Sequence, residues 1–288
     1  MQRERVTDSI FIFTSDQYVQ VTAGLVLTAA GAVLIDTLLY PEETLKVKHF
    51  VENRLGATIR YVIYTHHHSD HTTGACFFPD AQVIAHRRCR ELLDTRGRSS
   101  LQRMKDNAPE MAEIELVLPD VVFDDRMTLN LGDRTLQLTA APGHSPDGIV
   151  CLVEEEQVLF GSDTVMPLPF FVDGNCDDFL NSLRMIQSGS YESIVQGHGE
   201  IILRGEVQQR LREDIRYLES LRTAVQRALK SPPSKLDQAL ASISLEQCGK
   251  SRVLLNGYVQ QLHKQNIIAL ADQMRRDWSY EVDETHAK

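Results

Sequence analysis

The sequence predicts an α+β fold in which a mixed β body is followed by an all-helical tail. Up to about residue 200 the chain contains many short β-branched and apolar runs, whereas from about Gly205 it shows helical periodicity without strands. The composition allows a large core, because 42% of the 288 residues are hydrophobic and 24% are charged. These fractions are typical of globular proteins and argue against a disordered, collagen-like or coiled-coil chain.

The predicted strands are short apolar runs bounded by turn residues. Side chains that branch at Cβ favour extended backbone, so runs rich in Val, Ile and Thr indicate strands. In chain order the runs are SIFIF, GLVLT, AVLIDT, YVIYT, AQVIA, RTLQLTAA, GIVCLV, QVLF and SIVQ.

Helical patterns are fewer in the body than strand patterns. The first extends from Glu42 to Leu55 and follows Pro41, a residue that is well tolerated in the first turn of a helix. The second extends from His86 to Leu93. The body is therefore predicted to mix strands with a small number of helices.

The tail is predicted to contain three helical segments, interrupted at Pro232 and Pro233 and again near Gly249. We place the domain boundary after residue 204, with a catalytic body at 1–204 and a helical extension at 205–288 packed on it. The last segment carries an apolar face at helical spacing, which predicts burial against a partner surface. That face consists of Leu262, Ile267, Leu270 and Met274.

Charge and cysteine content limit the cellular context. The formal net charge of -10 argues against a nucleic-acid partner, since phosphate binding needs a concentrated basic surface. The five cysteines form no CxxC pair, which favours a reducing compartment over a disulfide framework. The N-terminus lacks the apolar region of a signal peptide, and the apolar stretch at 21–40 is broken by glycines and an aspartate. We therefore expect a cytoplasmic protein that does not span a membrane.

The strongest chemical pattern is YVIYTHHHSDHTTG at residues 61–74, in which an apolar strand leads directly into four histidines and an aspartate within six positions. Imidazole and carboxylate are ligands of zinc and iron, and a turn after a strand can direct several of them to one point. The alternative is a polar loop without a ligand. The cluster predicts a metal site.

Three later segments repeat the arrangement of an apolar strand followed by a glycine-flanked polar residue. They are LQLTAAPGHSPDG with His144, QVLFGSDTV with Asp163, and SIVQGHGE with His198. A single histidine of this kind is as often an ordinary loop residue. Glycine beside each one allows the backbone to approach a metal pocket closely, so we interpret the three together as further ligands.

The order HxHxDH, then His, Asp and His resembles the metallo-β-lactamase superfamily, and the likeness covers residues from about 6 to 204. The resemblance implies an αββα sandwich that holds two divalent metal ions in a groove at one edge, with zinc favoured over iron or manganese. His67 matches no ligand position of the superfamily. The resemblance assigns His66, His68 and His144 to the first metal, Asp70, His71 and His198 to the second, and Asp163 to both as a bridge.

Two neighbouring dications can lower the pKa of a shared water from 15.7 to about 7 and polarise a carbonyl or phosphoryl oxygen. This chemistry is that of a hydrolase. Asp70, besides its role as a ligand, is the natural acceptor of the proton from that water.

Details of the motifs separate branches of the superfamily. Asp163 argues against true β-lactamases, which generally lack the bridging ligand, and His68 argues against the flavin-coupled diiron oxidoreductases. Glyoxalase II has the full ligand set, but its GCGRF stretch is replaced here by MPLPFFVDGN. Phe170 and Phe171 in this segment either pack in the core or form the lip of an apolar pocket.

The sequence therefore predicts a binuclear hydrolase of an ester, thioester or lactone in a small, partly apolar molecule. Two alternatives remain: a mononuclear iron sulfur dioxygenase, and a metal-containing regulatory protein that acts through its tail. A nuclease is disfavoured because acidic residues alternate with the arginines of the tail. We expect the tail to cover the groove and to pair two chains in a homodimer, the alternative being a solvated cover.

Overall fold

The chain folds as an αββα sandwich, in which two β-sheets face each other and helices cover both outer faces, so the predicted fold class is confirmed. The computed structural model describes the backbone of residues 1–286 and the side chains of residues 1–255 and 257–276. The first sheet has seven strands in the order β1-β2-β3-β4-β5-β6-β7, and the second has six in the order β13-β12-β11-β10-β9-β8.

The strands occupy the first 203 residues of the chain. Their bounds are β1 Gln2–Arg5, β2 Ile10–Thr14, β3 Thr22–Thr28, β4 Gly31–Ile35, β5 Ile59–Ile63, β6 Gln82–His86, β7 Val121–Phe123, β8 Arg126–Leu131, β9 Arg134–Ala140, β10 Ile149–Val153, β11 Val158–Ser162, β12 Ser193–Gln196 and β13 Ile202–Leu203.

Helices connect the strands and form the tail. Two of them are continued by π-helical turns, at Phe50–Arg54 and at Leu93–Gly97. The α-helices are α1 Pro41–His49, α2 Ser69–Thr72, α3 Arg87–Leu92, α4 Arg98–Asn107, α5 Cys176–Gln187, α6 Arg204–Leu229, α7 Pro233–Ala241 and α8 Val259–His286.

Strand β2 shows why its sequence has no polar face. Side chains alternate between the two faces of a strand. Phe11 and Phe13 join the core under the outer helix α1, while Ile10 and Ile12 join the core between the two sheets. Both faces of the strand are buried, so the run is continuously apolar instead of alternating with polar residues.

Three hydrophobic cores correspond to the three interfaces between the four layers. The middle core joins Ile63 of the first sheet to Phe160 of the second. A second core lies between the first sheet and α1. The third core packs the second sheet against α5, α6 and α8, and includes Leu159, Leu183 and Leu221. The helical tail thus supplies part of the outer layer of the sandwich.

All of the predicted apolar runs are strands, but the sequence missed several elements. Strand β1 is exposed along its length and β8 is buried only at Leu129, so neither forms an apolar run. Helix α5 was also missed, although Asn175 caps its N-terminus by accepting hydrogen bonds from two backbone N–H groups. The helix predicted to end at Leu93 was too short, because the π-helical turn carries the chain into α4, which ends at Asn107.

The apolar face predicted in the last helix is buried against the body. Leu262, Ile267 and Leu270 of α8 belong to the same core as α5 and α6, and Met274 packs on its edge. The predicted break near Gly249 is a long irregular segment between α7 and α8. Within the described part of the chain, no helix has the length and apolar character needed to cross a bilayer.

Two adjacent isoleucines of α8 provide a test of this packing. Ile267 is 5% exposed and Ile268 is 60% exposed. We expect Ile267→Ala to lower the free energy of unfolding by about 2–5 kcal/mol through the cavity it leaves, and Ile268→Ala to change it by less than about 0.5 kcal/mol. Denaturant unfolding of the two full-length variants measures both values. Equal, small effects would mean that the tail is a solvated cover.

Candidate metal centre

The seven predicted ligands come from loops that follow four strands, and these loops meet at one edge of the sandwich. His66, His68, Asp70 and His71 follow β5, and the last two lie on the short helix α2. The other three follow β9, β11 and β12, and these are His144, Asp163 and His198. The structure brings all seven together in overlapping groups whose ligand atoms lie within 4.8 Å of one another.

The first group contains three imidazoles. The Nδ1 atom of His68 lies 3.0 Å from Nε2 of His66 and 3.0 Å from Nε2 of His144. Three ring nitrogens that converge at such distances can serve as three ligands of one metal ion. Burial lowers the pKa of His144 to about 4 and that of His66 well below its usual value, which favours the neutral form that binds metals.

The second group combines imidazole with carboxylate. The Nε2 atom of His198 lies 3.4 Å from Oδ2 of Asp70, and Nε2 of His71 lies 3.7 Å from the same oxygen. Burial alone would lower the pKa of His198, but the carboxylates of Asp163 and Asp70 outweigh it and raise the pKa to about 10. The second group therefore has a much stronger affinity for positive charge than the first.

Asp163 lies between the two groups. Its Oδ2 is 3.3 Å from Nε2 of His144 in the first group and 3.4 Å from Nε2 of His198 in the second. Its Oδ1 is 3.4 Å from Nε2 of His71. One carboxylate thus contacts both groups, as expected of a residue that bridges two metal ions.

The structure also shows that these residues fit a metal. Oδ1 of Asp163 and Nε2 of His71 are buried, and neither has a hydrogen-bond partner among the described residues. Such unpaired buried polar atoms are costly unless something binds them. A donor set of imidazole nitrogens and carboxylate oxygens suits zinc and related divalent ions.

Each imidazole is held by a hydrogen bond from the nitrogen that faces away from the ligand groups. Partners of this kind fix the tautomer and the orientation of a metal-binding histidine. The acceptors are Thr65 Oγ1 for His66 at 3.2 Å, Asp173 Oδ2 for His68 at 3.3 Å, Asp36 Oδ2 for His71 at 2.8 Å, the Phe170 carbonyl for His144 at 2.7 Å and the Val19 carbonyl for His198 at 2.9 Å.

The backbone that carries some of these groups is strained. Val19, Asp36 and Ser162 have φ angles of 42°, 59° and 46°, which non-glycine residues rarely adopt. Val19 and Asp36 present acceptors to ligands, and Ser162 directly precedes Asp163. Strain of this kind persists only where the surroundings enforce it, and it concentrates at functional sites.

Gly197 shows why glycine accompanies a ligand here. A Cβ atom at this position would collide with Oδ1 of Asp163 and with the backbone of Ser162. The absence of a side chain therefore lets the loop that carries His198 approach the bridging carboxylate.

His67 lies beside His68, with ring centroids 4.6 Å apart, and contacts two carboxylates that are not among the predicted ligands. Its Nδ1 donates to Oδ1 of Asp147 at 2.9 Å, and its Nε2 lies 3.3 Å from Oδ2 of Asp173. Burial by itself lowers the pKa of His67, but these two carboxylates outweigh burial and raise the pKa to about 9. A charged His67 holds Asp173 beside His68, while Arg96 pairs with the other oxygen of Asp173 at 2.9 Å.

A pocket with a volume of about 500 Å³ opens over the ligand groups. The polar lining residues Arg96, Ser99, Ser100 and Arg103 come from α4 and the turn before it. The tail also contributes to the lining. The apolar and aromatic lining residues are Tyr18, Leu93, Leu101, Met104, Ile114, Leu116, Met166, Phe170, Leu255, Tyr258 and Leu262.

The segment at 166–172 resolves the two alternatives left open by the sequence. Phe170 lines the pocket, whereas Phe171 is 1% exposed and belongs to the core. Phe170 therefore follows the pocket interpretation and Phe171 follows the core interpretation. The segment runs along the rim of the pocket, and its other side is turned into the core.

The sequence predicted the seven side chains that converge here but not the groups that orient them. Asp36 directly follows the apolar run AVLI, so an aspartate at a strand end was a usable indication. Asp173 and the carbonyls of Val19 and Phe170 lie in irregular loops and carried no such pattern.

The sequence profile of the metallo-beta-lactamase superfamily matches residues 17–225 of the chain. Among curated proteins, the chain is 26% identical over 176 residues to a beta-lactamase-like protein 2 homolog of Caenorhabditis elegans, covering 61% of this chain and 54% of that protein. It is 28% identical over 180 residues to thioesterase pkgB of Emericella nidulans, covering 62% and 46%. The chain thus spans about half the length of the curated relatives it matches.

Among solved structures, a metallo-beta-lactamase family protein from Thermus thermophilus superposes with a TM-score of 0.67 at 18% identity. The superposition covers 95% of each chain, so it includes helices of the tail as well as the sandwich.

Asp36→Asn tests the role of the partner behind His71. Oδ2 of Asp36 accepts from both His71 Nδ1 and the Thr65 hydroxyl, so an amide N–H group at that position would oppose two donors. We expect zinc binding at the second group to weaken by about 10–100-fold. Competition with a chelator measures the affinity, and Asp8→Asn, whose side chain is fully exposed, is the control. Unchanged affinity would mean that Asp36 only supports the fold.

The raised pKa of His67 predicts a pH-dependent stability. A proton that binds the folded state more tightly stabilises it below the unfolded pKa of about 6.5, and this contribution is lost as the pH rises through the folded value. We expect the stability difference between wild type and His67→Gln to be largest below pH 6.5 and to shrink towards pH 9. Chemical unfolding at several pH values measures it. A difference that stays constant with pH would contradict a charged His67.

Proposed function

Because the chain belongs to the metallo-β-lactamase superfamily, we propose that it is a binuclear metal-dependent hydrolase that cleaves a thioester of a partly apolar acyl group. Members of the superfamily generally bind divalent metal ions, typically zinc. The observation that carries the proposal is the position of Asp163, whose Oδ2 lies 3.3 Å from His144 and 3.4 Å from His198. A carboxylate in contact with both ligand groups favours two ions over one.

We assign the ligands as the sequence predicted them. His66, His68 and His144 would hold one ion, while Asp70, His71 and His198 would hold the other, and Asp163 would contact both. When bound, the ions would supply a polarised acyl carbonyl and a water that ionises near neutral pH. Zinc is the proposed metal, since three neutral imidazoles suit it well.

Asp70 is the proposed proton acceptor. Burial would raise the pKa of Asp70, but the neighbouring His71 and His198 outweigh it and hold the pKa well below its usual range, so the carboxylate is ionised. In the proposed hydrolysis the oxygen of a water bonds to the acyl carbon and its proton passes to Asp70. The bond between the acyl carbon and sulfur then breaks, and Asp70 returns the proton to the departing sulfur, which leaves a carboxylic acid and a thiol.

The pocket supports a substrate with an apolar part. Leu262 and Tyr258 of the tail and Phe170 of the rim provide apolar surface in the pocket, and Ser99 and Arg103 add polar groups to its lining. Such a pocket fits an acyl or aryl group of moderate size attached to a polar carrier. The thioesterase among the relatives supports a thioester over an oxygen ester or a lactone.

Purified full-length protein loaded with zinc tests the proposal against matched thioesters, oxygen esters, lactones and a phosphodiester. We expect faster cleavage of the thioester, about two zinc ions per chain, and loss of activity after chelation that zinc restores. Asp163→Ala should lower kcat/KM on the order of a hundredfold or more, because the geometry between the two ions is lost.

The control is Asp8→Ala, which removes an exposed carboxylate far from the pocket and should keep wild-type activity. One iron per chain together with consumption of oxygen would instead identify a sulfur dioxygenase. Wild-type turnover in Asp163→Ala would exclude the binuclear mechanism.

A further inference from the structure

Asn266 lies on the buried face of α8, and its side-chain amide makes three hydrogen bonds although the residue is fully buried. Its Nδ2 donates to the Pro169 carbonyl at 2.7 Å and to the hydroxyl of Tyr217 at 3.1 Å. Its Oδ1 accepts from the backbone N–H of Phe171 at 3.2 Å. One amide of the tail thus holds the backbone on both sides of Phe170.

The residue between these two backbone contacts orients a predicted ligand. The Phe170 carbonyl accepts a hydrogen bond from Nδ1 of His144 at 2.7 Å. This bond places the proton on Nδ1 and directs the bare Nε2 towards Asp163 Oδ2 and His68 Nδ1, at 3.3 Å and 3.0 Å. The orientation of His144 therefore depends on where the Phe170 carbonyl lies.

The amide of Asn266 is itself fixed from behind. Nε2 of His263 must donate to the Ile243 carbonyl at 3.1 Å, so Nδ1 of the same ring is an acceptor. The Tyr217 hydroxyl therefore donates its single proton to that Nδ1 at 3.0 Å and can only accept from Asn266. The series of bonds allows one orientation of the amide, with Nδ2 on Pro169 and Oδ1 on Phe171.

We propose that Asn266 is a positioning residue of the metal centre, which fixes the Phe170 carbonyl and through it holds His144 in the orientation that binds metal. The proposal rests on the proposed function, since it requires that His144 be a ligand. It makes the C-terminal helix part of the metal centre as well as a wall of the pocket. Asn266 is not a catalytic residue in this proposal, because its hydrogen bonds reach neither the pocket nor the ligand atoms.

If Asn266 only supported the fold, replacing it would not change the affinity for metal. A second amide on the same helix, Gln273, provides the control. Gln273 lies on the same helix seven residues later, and its Oε1 accepts from the backbone N–H of Cys176 at 3.3 Å. This amide also joins α8 to the body, but Cys176 begins α5 and presents no group to a ligand. Asn266→Leu removes three hydrogen bonds and Gln273→Leu removes one, and both loosen α8 from the body, but only the Asn266 bonds lead to the metal centre.

The experiment uses full-length protein freed of metal with a chelator and then titrated with Zn²⁺ and, for its absorption spectrum, with Co²⁺. We expect Asn266→Leu to weaken the binding of one of the two zinc ions by about 10–100-fold. Losses of this size are typical when the hydrogen-bond partner of a metal-binding histidine is disturbed. The spectrum of one cobalt ion should change, kcat should fall, and KM should stay within about twofold because Asn266 itself does not line the pocket. Gln273→Leu should match wild type in all three measurements.

Thermal unfolding of the metal-free variants separates folding from positioning. If both variants lose similar stability while both bind zinc like the wild type, the amide is only structural and the proposal is wrong. If Asn266→Leu does not fold, Tyr217→Phe supplies the same measurement, because it removes the group that fixes the amide. A wild-type zinc affinity in Tyr217→Phe would then equally contradict the proposal. Failure of the wild type to bind zinc would contradict the proposed function instead.

Discussion

The hydrogen bonds behind the five converging histidines are the interactions on which the site depends. An imidazole can rotate about two side-chain bonds and can carry its proton on either nitrogen, so proximity alone does not make it a ligand. The bond from the far nitrogen removes both freedoms. Its acceptors come from different parts of the fold, including Asp36 at the end of β4, the Val19 carbonyl before β3 and the Phe170 carbonyl below the tail.

The sandwich supplies the rigidity that these bonds require. Strands β4 and β11 are almost entirely buried and β5 is buried at its C-terminal end, so these strand ends cannot shift without disturbing the cores. Asp36 and Ser162 follow or end such strands and keep positive φ angles. The packing of the strands opposes relaxation of this strained backbone. Asp36 then holds His71, and Ser162 directs the next residue, Asp163, to the space between the two groups.

The helical tail has two connections to this edge of the sandwich. Leu255, Tyr258 and Leu262 line the pocket, so the tail contributes to the apolar surface that a substrate would contact. Asn266 reaches the backbone on the other side of the pocket rim. The chain changes from mixed structure to helices where α6 begins at Arg204, and the core that contains Leu159, Leu183 and Leu221 continues across this point.

The two kinds of ligand group differ in their electrostatics. In the first group burial keeps His66 and His144 neutral. In the second, buried carboxylates raise the pKa of His198. Positive charge is therefore favoured at the second group and disfavoured at the first.

The sequence by itself predicted which side chains come together at one edge of the sandwich and where the buried strands run. The cluster His66 to His71 directly follows the run YVIYT, and a strand buried on both faces appears as a continuous apolar run. Both features are local patterns that can be recognised in the sequence. The exposed β1 was missed because it has no apolar run, whereas α5 was missed although its amphipathic pattern and its N-cap are local features.

Only the tertiary structure decided which groups orient the ligands and which phenylalanine faces the pocket. Asp36 differs from other polar residues only in following a strand directly, and Asp173 and Asn266 carry no local pattern that distinguishes them. Their roles arise because folding places them against His71, His68 and the backbone around Phe170. Hydrogen bonds of this kind join residues that are distant in the chain, and local periodicity carries no information about such contacts.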